Sequence, residues 1–173
     1  MKKFSVICAA AILLAIPGVA QASATPDTTP TTPHSFTGTL DVQKSLGIWT
    51  TCNVDAKVQV TSGVPRLQSV TLSSGLICPG ITFTGLPSAP LDVSALPVVK
   101  VPAVTVNIAF PSGTCSGSLS FIWGGNGPPT PRTITFQDVL SNIPGVPASS
   151  PPCRIRGVLS QTAATPPLSV FNP

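Results

Sequence analysis

The sequence predicts an all-β protein, a single-domain antiparallel β-sandwich with two disulfides. Three observations predict this class: apolar and polar residues alternate along several segments, Gly- and Pro-containing turns separate those segments, and four cysteines follow an N-terminal leader. Strict alternation indicates a strand that buries only one of its faces. Many short strands of this kind, divided by turns, are typical of a two-layer β domain.

Residues 1–24 have the layout of a secretory signal peptide. Lys2 and Lys3 precede an apolar run at residues 4–16, and small residues suited to cleavage lead up to Ala24. This run of about 13 residues is shorter than the roughly 20 that a membrane-spanning helix needs, so we expect cleavage and a mature chain without a transmembrane segment. The signal predicts a secreted protein, but it does not distinguish release into the medium from retention in the periplasm or at the cell surface.

The mature chain divides into a linker and one domain. Residues 25–34 consist mainly of Thr and Pro and have no large apolar side chain, which predicts a flexible linker. Residues 35–173 carry the alternation and form the predicted β-sandwich domain. No window in them follows the 3.6-residue period of a helix, and prolines recur throughout residues 86–102.

The buried face of each predicted strand follows from its apolar phase. In chain order the phases are Phe36, Gly38, Leu40 and Val42; Cys52, Val54, Ala56, Val58 and Val60; Val70, Leu72, Leu76 and Cys78; Val104, Val106, Ile108 and Phe110; Cys115, Leu119, Phe121 and Trp123; Ile134 and Phe136; and Cys153, Ile155, Gly157 and Leu159. Turn sequences such as Thr61-Ser62-Gly63 and Pro111-Ser112-Gly113 fall between these strands. The intervening Ser, Thr and charged residues are predicted to form the outer face.

Four of the five cysteines, Cys52, Cys78, Cys115 and Cys153, remain after removal of the leader. An even number of cysteines in an exported chain predicts two disulfides, which four cysteines can form in three ways. We favour Cys52–Cys78 with Cys115–Cys153, because each of these bridges would join neighbouring segments. All four cysteines share the apolar phase of their segments, so their sulfur atoms are expected in the core.

The composition excludes most acid–base and metal chemistry. The chain has no Glu and one histidine, His34, which lies at the end of the predicted linker. A catalytic triad needs an imidazole that is held in place, and the cysteine spacing does not fit a zinc site. The net charge of +4 is scattered, without the basic cluster of a nucleic-acid-binding protein. We therefore predict no catalytic residue, cofactor or metal, and expect that the protein is not an enzyme.

Two tryptophans are the remaining candidates for a ligand site. Trp123 shares its phase with Phe121 and Cys115, so we expect it to pack in the core against a disulfide. Trp49 precedes a strand, and its role stays open between stacking on a ligand and packing.

A set of short motifs runs along nearly the whole mature chain. The motifs are Phe36-Thr37-Gly38, Gly75-Leu76-Ile77-Cys78, Phe83-Thr84-Gly85-Leu86-Pro87, Gly113-Thr114-Cys115-Ser116-Gly117, Phe121-Ile122-Trp123 and the terminal Phe171-Asn172-Pro173. This pattern resembles the PraB-like protein activators of alkane oxidation, which are small exported bacterial proteins. The resemblance implies a secreted, non-enzymatic protein that assists the use of alkanes at the oil–water interface and does not convert the alkane. It transfers no catalytic residue.

A hydrocarbon or another apolar surface is the partner that this resemblance implies. Ile122 and Val158 lie in the outward phase of their strands and could contact it; the alternative is that they are ordinary apolar residues of a protein surface.

A structural subunit of an extracellular fibre or biofilm matrix is the alternative function. The alternating segment that contains Phe36, Leu40 and Val42 follows a flexible linker, so it could add as a strand to a neighbouring copy and drive self-assembly. The alternative for this segment is the first strand of the chain's own sandwich.

Overall fold

A computed structural model describes residues 23–24, 33–44, 47–126, 132–163 and 167–171. The predicted signal peptide lies outside these residues except for Ser23 and Ala24, and so do residues 25–32 of the predicted linker. In the described part of the chain, no helix is long and apolar enough to cross a membrane.

Thirteen strands occur in the described residues. They are β1 (Ser23–Ala24), β2 (His34–Gln43), β3 (Thr50–Thr61), β4 (Val64–Ser73), β5 (Ile81–Thr84), β6 (Asp92–Ala95), β7 (Val98–Ile108), β8 (Gly113–Trp123), β9 (Thr133–Phe136), β10 (Asn142–Ile143), β11 (Gly145–Val146), β12 (Cys153–Ala163) and β13 (Val170–Phe171). A short 3₁₀ helix spans Cys78–Gly80 between β4 and β5. The strands pair antiparallel, and the predicted all-β class is confirmed.

Eleven strands belong to one sheet, whose main path runs β4-β3-β2-β12-β9-β8-β7-β5. The short strands β6, β10 and β11 pair beside this path with β7, β12 and β8, and β1 pairs separately with β13. Side chains from all eight strands of the path line the same apolar interior. The layers of the predicted sandwich are therefore joined into one continuous sheet that wraps around a single core.

The alternation predicted from the sequence places the core correctly along most of its length. Phe36 is completely buried, and its ring meets the ring of Trp123 edge to face at a centroid distance of 6.1 Å. Phe121 and Phe136 form a second ring pair at 5.7 Å. Trp123 is thus a core residue as expected, and its ring contacts Phe36 while its indole N–H donates to Asn126 Oδ1 at 2.9 Å.

The outer edge of β4 is bonded to residues 88–91, which lie in the connection between β5 and β6. The Ser88 backbone N–H donates to the Leu67 carbonyl at 2.9 Å, and the Leu91 N–H donates to the Pro65 carbonyl at 3.0 Å. The Ser88 hydroxyl also accepts a hydrogen bond from the Leu67 N–H at 3.1 Å. These bonds satisfy part of the outer backbone edge of β4, which would otherwise be open to another strand.

The predicted buried phase extends too far at two strand ends. Leu76 was expected to face the core but is fully exposed, because β4 ends at Ser73, and Ser74 and Gly75 then adopt positive φ angles. Phe110 was likewise expected inside, yet β7 ends at Ile108 and 72% of Phe110 is exposed.

The first long strand begins one residue before the predicted domain boundary. His34, expected at the end of the flexible linker, is the first residue of β2 and is buried. Its Nδ1 atom lies 3.3 Å from the side-chain amide nitrogen of Gln161 on β12. The imidazole is therefore held in place. A metal site needs further ligands, and the described part of the chain contains no group of three or more residues that could hold a metal ion.

Candidate interaction surface

One end of the sheet holds both disulfides, and we call it the disulfide end. It comprises the described residues of the β2–β3 loop (44 and 47–49), the connection after β4 (74–77), the β7–β8 turn (109–112) and the segment between β9 and β12 (137–152). The antiparallel registers place these four segments together, because β2, β4, β7 and β9 end where β3, β8 and β12 begin.

Exposed large apolar side chains are concentrated at the disulfide end. Of the six in the described residues, five extend from its loops and short strands, and the sixth, Val158, lies on the outer face of the sheet. The five are Ile48, Leu76, Phe110, Val139 and Val146. We call these five residues the apolar rim. Exposed apolar side chains that are concentrated at one end of a domain indicate a contact surface, whereas single ones scattered over a surface do not.

The disulfides fix the loops that carry the apolar rim. Cys52 on β3 is bonded to Cys78, which follows Leu76 by two residues. Cys115 on β8 is bonded to Cys153 at the start of β12. The two bridges predicted from the sequence are therefore present, in the connectivity that we favoured, and all four cysteines are buried as expected.

An apolar groove of about 120 Å³ lies within the rim. Its walls come from the ends of β2, β5 and β7 and from the loops beside them. The residues that line it are Val42, Lys44, Ile48, Thr50, Ile77, Ile81, Ile108, Phe110 and Pro111. Lys44 is the only charged residue among them, so the groove is suited to an alkyl group.

Lys44 lies at the boundary between this apolar groove and a wider polar groove of about 510 Å³. Its ammonium donates hydrogen bonds to the carbonyl oxygens of Pro151 at 2.7 Å and Thr114 at 3.2 Å, and it lies 3.3 Å from Cys115 Sγ. The side chain passes so close to Gly113 that a β-carbon there would lie 2.5 Å from Lys44 Cε. Lys44 is buried, and this burial lowers its pKa below the ordinary value of 10.5.

Replacing Lys44 with methionine should lower the free energy of unfolding by about 1–3 kcal/mol at pH 7, because two carbonyl groups lose a charged donor. The unfolded chain binds more protons than the native protein between the lowered pKa of Lys44 and 10.5. Wild-type stability therefore rises with pH in this interval. The difference from the Lys44→Met variant should widen toward pH 10.5, as urea denaturation at several pH values would measure. Lys57→Met, on the outer face of β3, is the control, and a difference that narrows with pH would contradict the prediction.

Trp49 is half-buried and contacts two arginines of the chain. The guanidinium carbons of Arg156 and Arg154 lie 4.2 Å and 5.8 Å from the centre of its ring system. Arg156 is also paired with Asp41 at 3.0 Å, and Arg154 with Asp138. Trp49 therefore makes cation–π contacts with two arginines that are themselves held by ion pairs.

The pKa of Asp41 is held below its ordinary value, first by the hydrogen bond from the Thr51 hydroxyl at 2.6 Å and then by Arg156. The arginine side of the disulfide end is therefore internally paired, and it differs in character from the apolar groove.

The proposed donor segment is part of the chain's own sheet. Phe36, Leu40 and Val42 lie on β2 and are buried, and β2 pairs with β12 on one side and β3 on the other. Both backbone edges of this strand are thus occupied along most of its length.

The two outer-face residues expected to contact hydrocarbon lie close together, although not at the rim. Ile122 and Val158 are both cross-strand partners of Thr135 on β9. Val158 is exposed, whereas Ile122 is half-buried. The rim residues were missed because they lie in loops, beyond strand ends or in the two-residue strand β11, where alternation carries no information. The signal for four of them was a large apolar residue next to Gly or Pro, which Val139 lacks.

The interior of the sheet is nearly filled. A cavity of about 30 Å³ remains among core side chains that are all apolar. This volume is far below the roughly 150 Å³ of a cavity that can hold benzene. An alkane chain does not fit inside the protein in this conformation, so an apolar ligand would have to bind at its surface.

Comparison with protein families gives one match. The family model described as alkane oxidation protein activator PraA/PraB-like matches residues 1–171. Searches of curated proteins and of solved structures find no match to the chain.

Proposed function

Since this chain belongs to the alkane oxidation protein activator PraA/PraB-like family, we propose that it is a secreted, non-enzymatic protein that assists alkane use by adsorbing to hydrocarbon surfaces through its apolar rim. The family description relates the protein to the activation of alkane oxidation. The location, the absence of catalysis and the mode of contact are the parts that we propose.

The position of the rim is the observation that carries the proposal. Five of the six exposed large apolar side chains lie at the disulfide end. Full transfer of one such side chain from water into an apolar phase contributes about 1.5–3 kcal/mol. Several side chains that enter oil from the same end of the molecule therefore give a strong and oriented attachment.

The framework behind the rim suits a protein that must stay folded at an oil surface. An interface draws buried apolar residues outward, and the continuous hydrogen-bonded sheet and two disulfides oppose this. Charged residues make up only 8% of the chain, so few strongly hydrated groups lose water on contact.

Export is supported by the N-terminal sequence and by the cysteine chemistry. The two disulfides are consistent with an oxidising compartment outside the cytoplasm. A signal peptide at residues 1–24 would deliver the chain there.

The alternative of a fibre subunit has no comparable support. Donation of the segment around Phe36, Leu40 and Val42 would require β2 to leave its ladders with β3 and β12 and would expose buried side chains.

Pendant-drop tensiometry at a hexadecane–water interface tests the adsorption. A variant with Ile48→Ser, Phe110→Ser and Val139→Ser should need at least about a tenfold higher concentration than wild type to lower the interfacial tension equally, because each change removes apolar area that enters the oil. All three side chains are mostly exposed, so the fold should be retained, as circular dichroism would verify.

Val158→Ser is the matched control, because it also removes an exposed apolar side chain but from the outer face of the sheet. We expect it to behave like wild type. Equal adsorption by the triple variant and wild type, or no adsorption by wild type, would refute the proposal.

A further inference from the structure

Lys44 is a buried cation beside an apolar groove. Only 7% of the residue is exposed. It lines the apolar groove together with Ile48 and Phe110, and it also lines the wider groove that contains the ion pair of Asp138 with Arg154. The two grooves therefore meet at its side chain.

The hydrogen-bond partners of this ammonium are all neutral. Its two oxygen acceptors are the backbone carbonyls of Thr114 and Pro151, and the third contact is with Cys115 Sγ, which is a weak acceptor. In the described part of the chain, the ion pairs at this end join Asp41 and Asp138 to arginines. Buried charges in proteins are normally paired with an opposite charge, so the charge of Lys44 lacks the usual compensation.

We propose that this site binds the anion of a long-chain carboxylic acid, with the carboxylate at Lys44 and part of the alkyl chain in the apolar groove. The carboxylate supplies the missing negative charge, and it would replace the weak sulfur contact with a charge-assisted hydrogen bond. The groove of about 120 Å³ receives only the first part of the chain. The rest extends past Ile48 and Phe110 toward the surface that contacts oil.

Charge and shape together select this class of ligand. An alkane or a long-chain alcohol would fill the groove but leave Lys44 uncompensated, and a small anion would pair with Lys44 but leave the groove empty. Long-chain carboxylates are the class of product that the complete oxidation of a terminal alkane carbon yields. The inference rests on the proposed function for this connection, whereas the binding site itself rests on Lys44 and the groove.

Calorimetric titration in water without an oil phase tests the site. Dodecanoate, dodecanol and acetate are compared at pH 8, below the concentration at which dodecanoate forms micelles. Dodecanoate should bind at least about tenfold more tightly than dodecanol, because only the anion gains a charged hydrogen bond. Acetate should bind more weakly than both, because it has no chain to bury. Equal affinities for dodecanoate and dodecanol, or for dodecanoate and acetate, would overturn the inference.

Two variants separate the contributions of the carboxylate and of the alkyl chain of the ligand to binding. Lys44→Met should bind dodecanoate and dodecanol with similar affinity, under conditions where circular dichroism shows that it is folded. Phe110→Ser keeps Lys44 and should weaken both ligands by a similar factor, so the preference for dodecanoate remains. If Lys44→Met still binds dodecanoate more tightly than dodecanol, the carboxylate binds at another site.

The same variants distinguish this inference from the proposed function. Lys44→Met retains the whole apolar rim, so its adsorption to hexadecane should match that of wild type. If dodecanoate fails to bind while rim-dependent adsorption is observed, only the carboxylate site is wrong. If the rim variants adsorb like wild type, the proposed function fails whatever the calorimetry shows.

Discussion

Replacement of Cys115 and Cys153 together by alanine is expected to lower the free energy of unfolding by about 2–5 kcal/mol. The bridge joins residues 38 positions apart, so it restricts the unfolded chain strongly. Both sulfur atoms are completely buried, and their removal also leaves unfilled space in the core. Urea denaturation of the oxidised wild type and of the double variant would measure the difference.

The same variant should also loosen part of the apolar rim. Residues 142–146 form β10 and β11, which pair with β12 and β8 beside this bridge. We expect faster amide exchange in these two short strands than in the wild type. The Cys52→Ala/Cys78→Ala variant is the matched control, because its bridge closes a loop of 26 residues at β3 and leaves β10 and β11 tied. If the Cys115/Cys153 variant and the wild type unfold at the same midpoint concentration of urea, the prediction is contradicted.

The strands and the positions of the cysteines could be predicted from the sequence because both follow local alternation. A residue's phase within a strand decides whether it faces the core, and this information is complete within ten or so residues. Cys52, Cys115 and Cys153 lie in strands at inward positions and are buried. Cys78 is also buried, but the 3₁₀ helix places it there, and not the continued strand that its phase predicted.

The order of the strands in the sheet could not be predicted in the same way. Strand β2 pairs with β12, which lies more than 100 residues later in the chain, and alternation does not specify such a partner. Nor does it predict the hydrogen bonds between Ser88 and β4, because they depend on the loop after β5 returning to that strand.

The two errors in the predicted core share one physical cause, and both lie at the candidate site. Leu76 and Phe110 continue the inward phase of β4 and β7 beyond the last strand residue, so alternation assigns them to the interior. The chain turns first, and both side chains become part of the exposed rim. A large apolar residue next to the Gly or Pro of a turn is therefore the sequence signal that would have indicated these two positions.

Gly157 is the position where a single methyl group should have the largest effect. A β-carbon on Gly157 would lie 2.4 Å from the Thr39 carbonyl oxygen and 3.1 Å from Leu40 Cα, both of which are backbone atoms of β2. The φ angle of Gly157 is +137°, which residues with a side chain rarely adopt. Relief of the clash would require β2 and β12 to move apart along their shared ladder.

We expect Gly157→Ala to lower the free energy of unfolding by about 3 kcal/mol or more, because backbone strain and the clash add at one residue. Urea denaturation, or the yield of soluble protein if the variant does not fold, would measure it. Gly47→Ala is the matched control: Gly47 also has a positive φ, of +70°, but no atom lies within 4 Å of the added carbon. Gly47→Ala should lower the free energy of unfolding by about 1 kcal/mol, because it adds only the strain of a positive φ and no clash. Equal losses of stability in the two variants would contradict this prediction and would mean that the β2–β12 ladder moves apart easily, so that the sheet is not a rigid support for the rim.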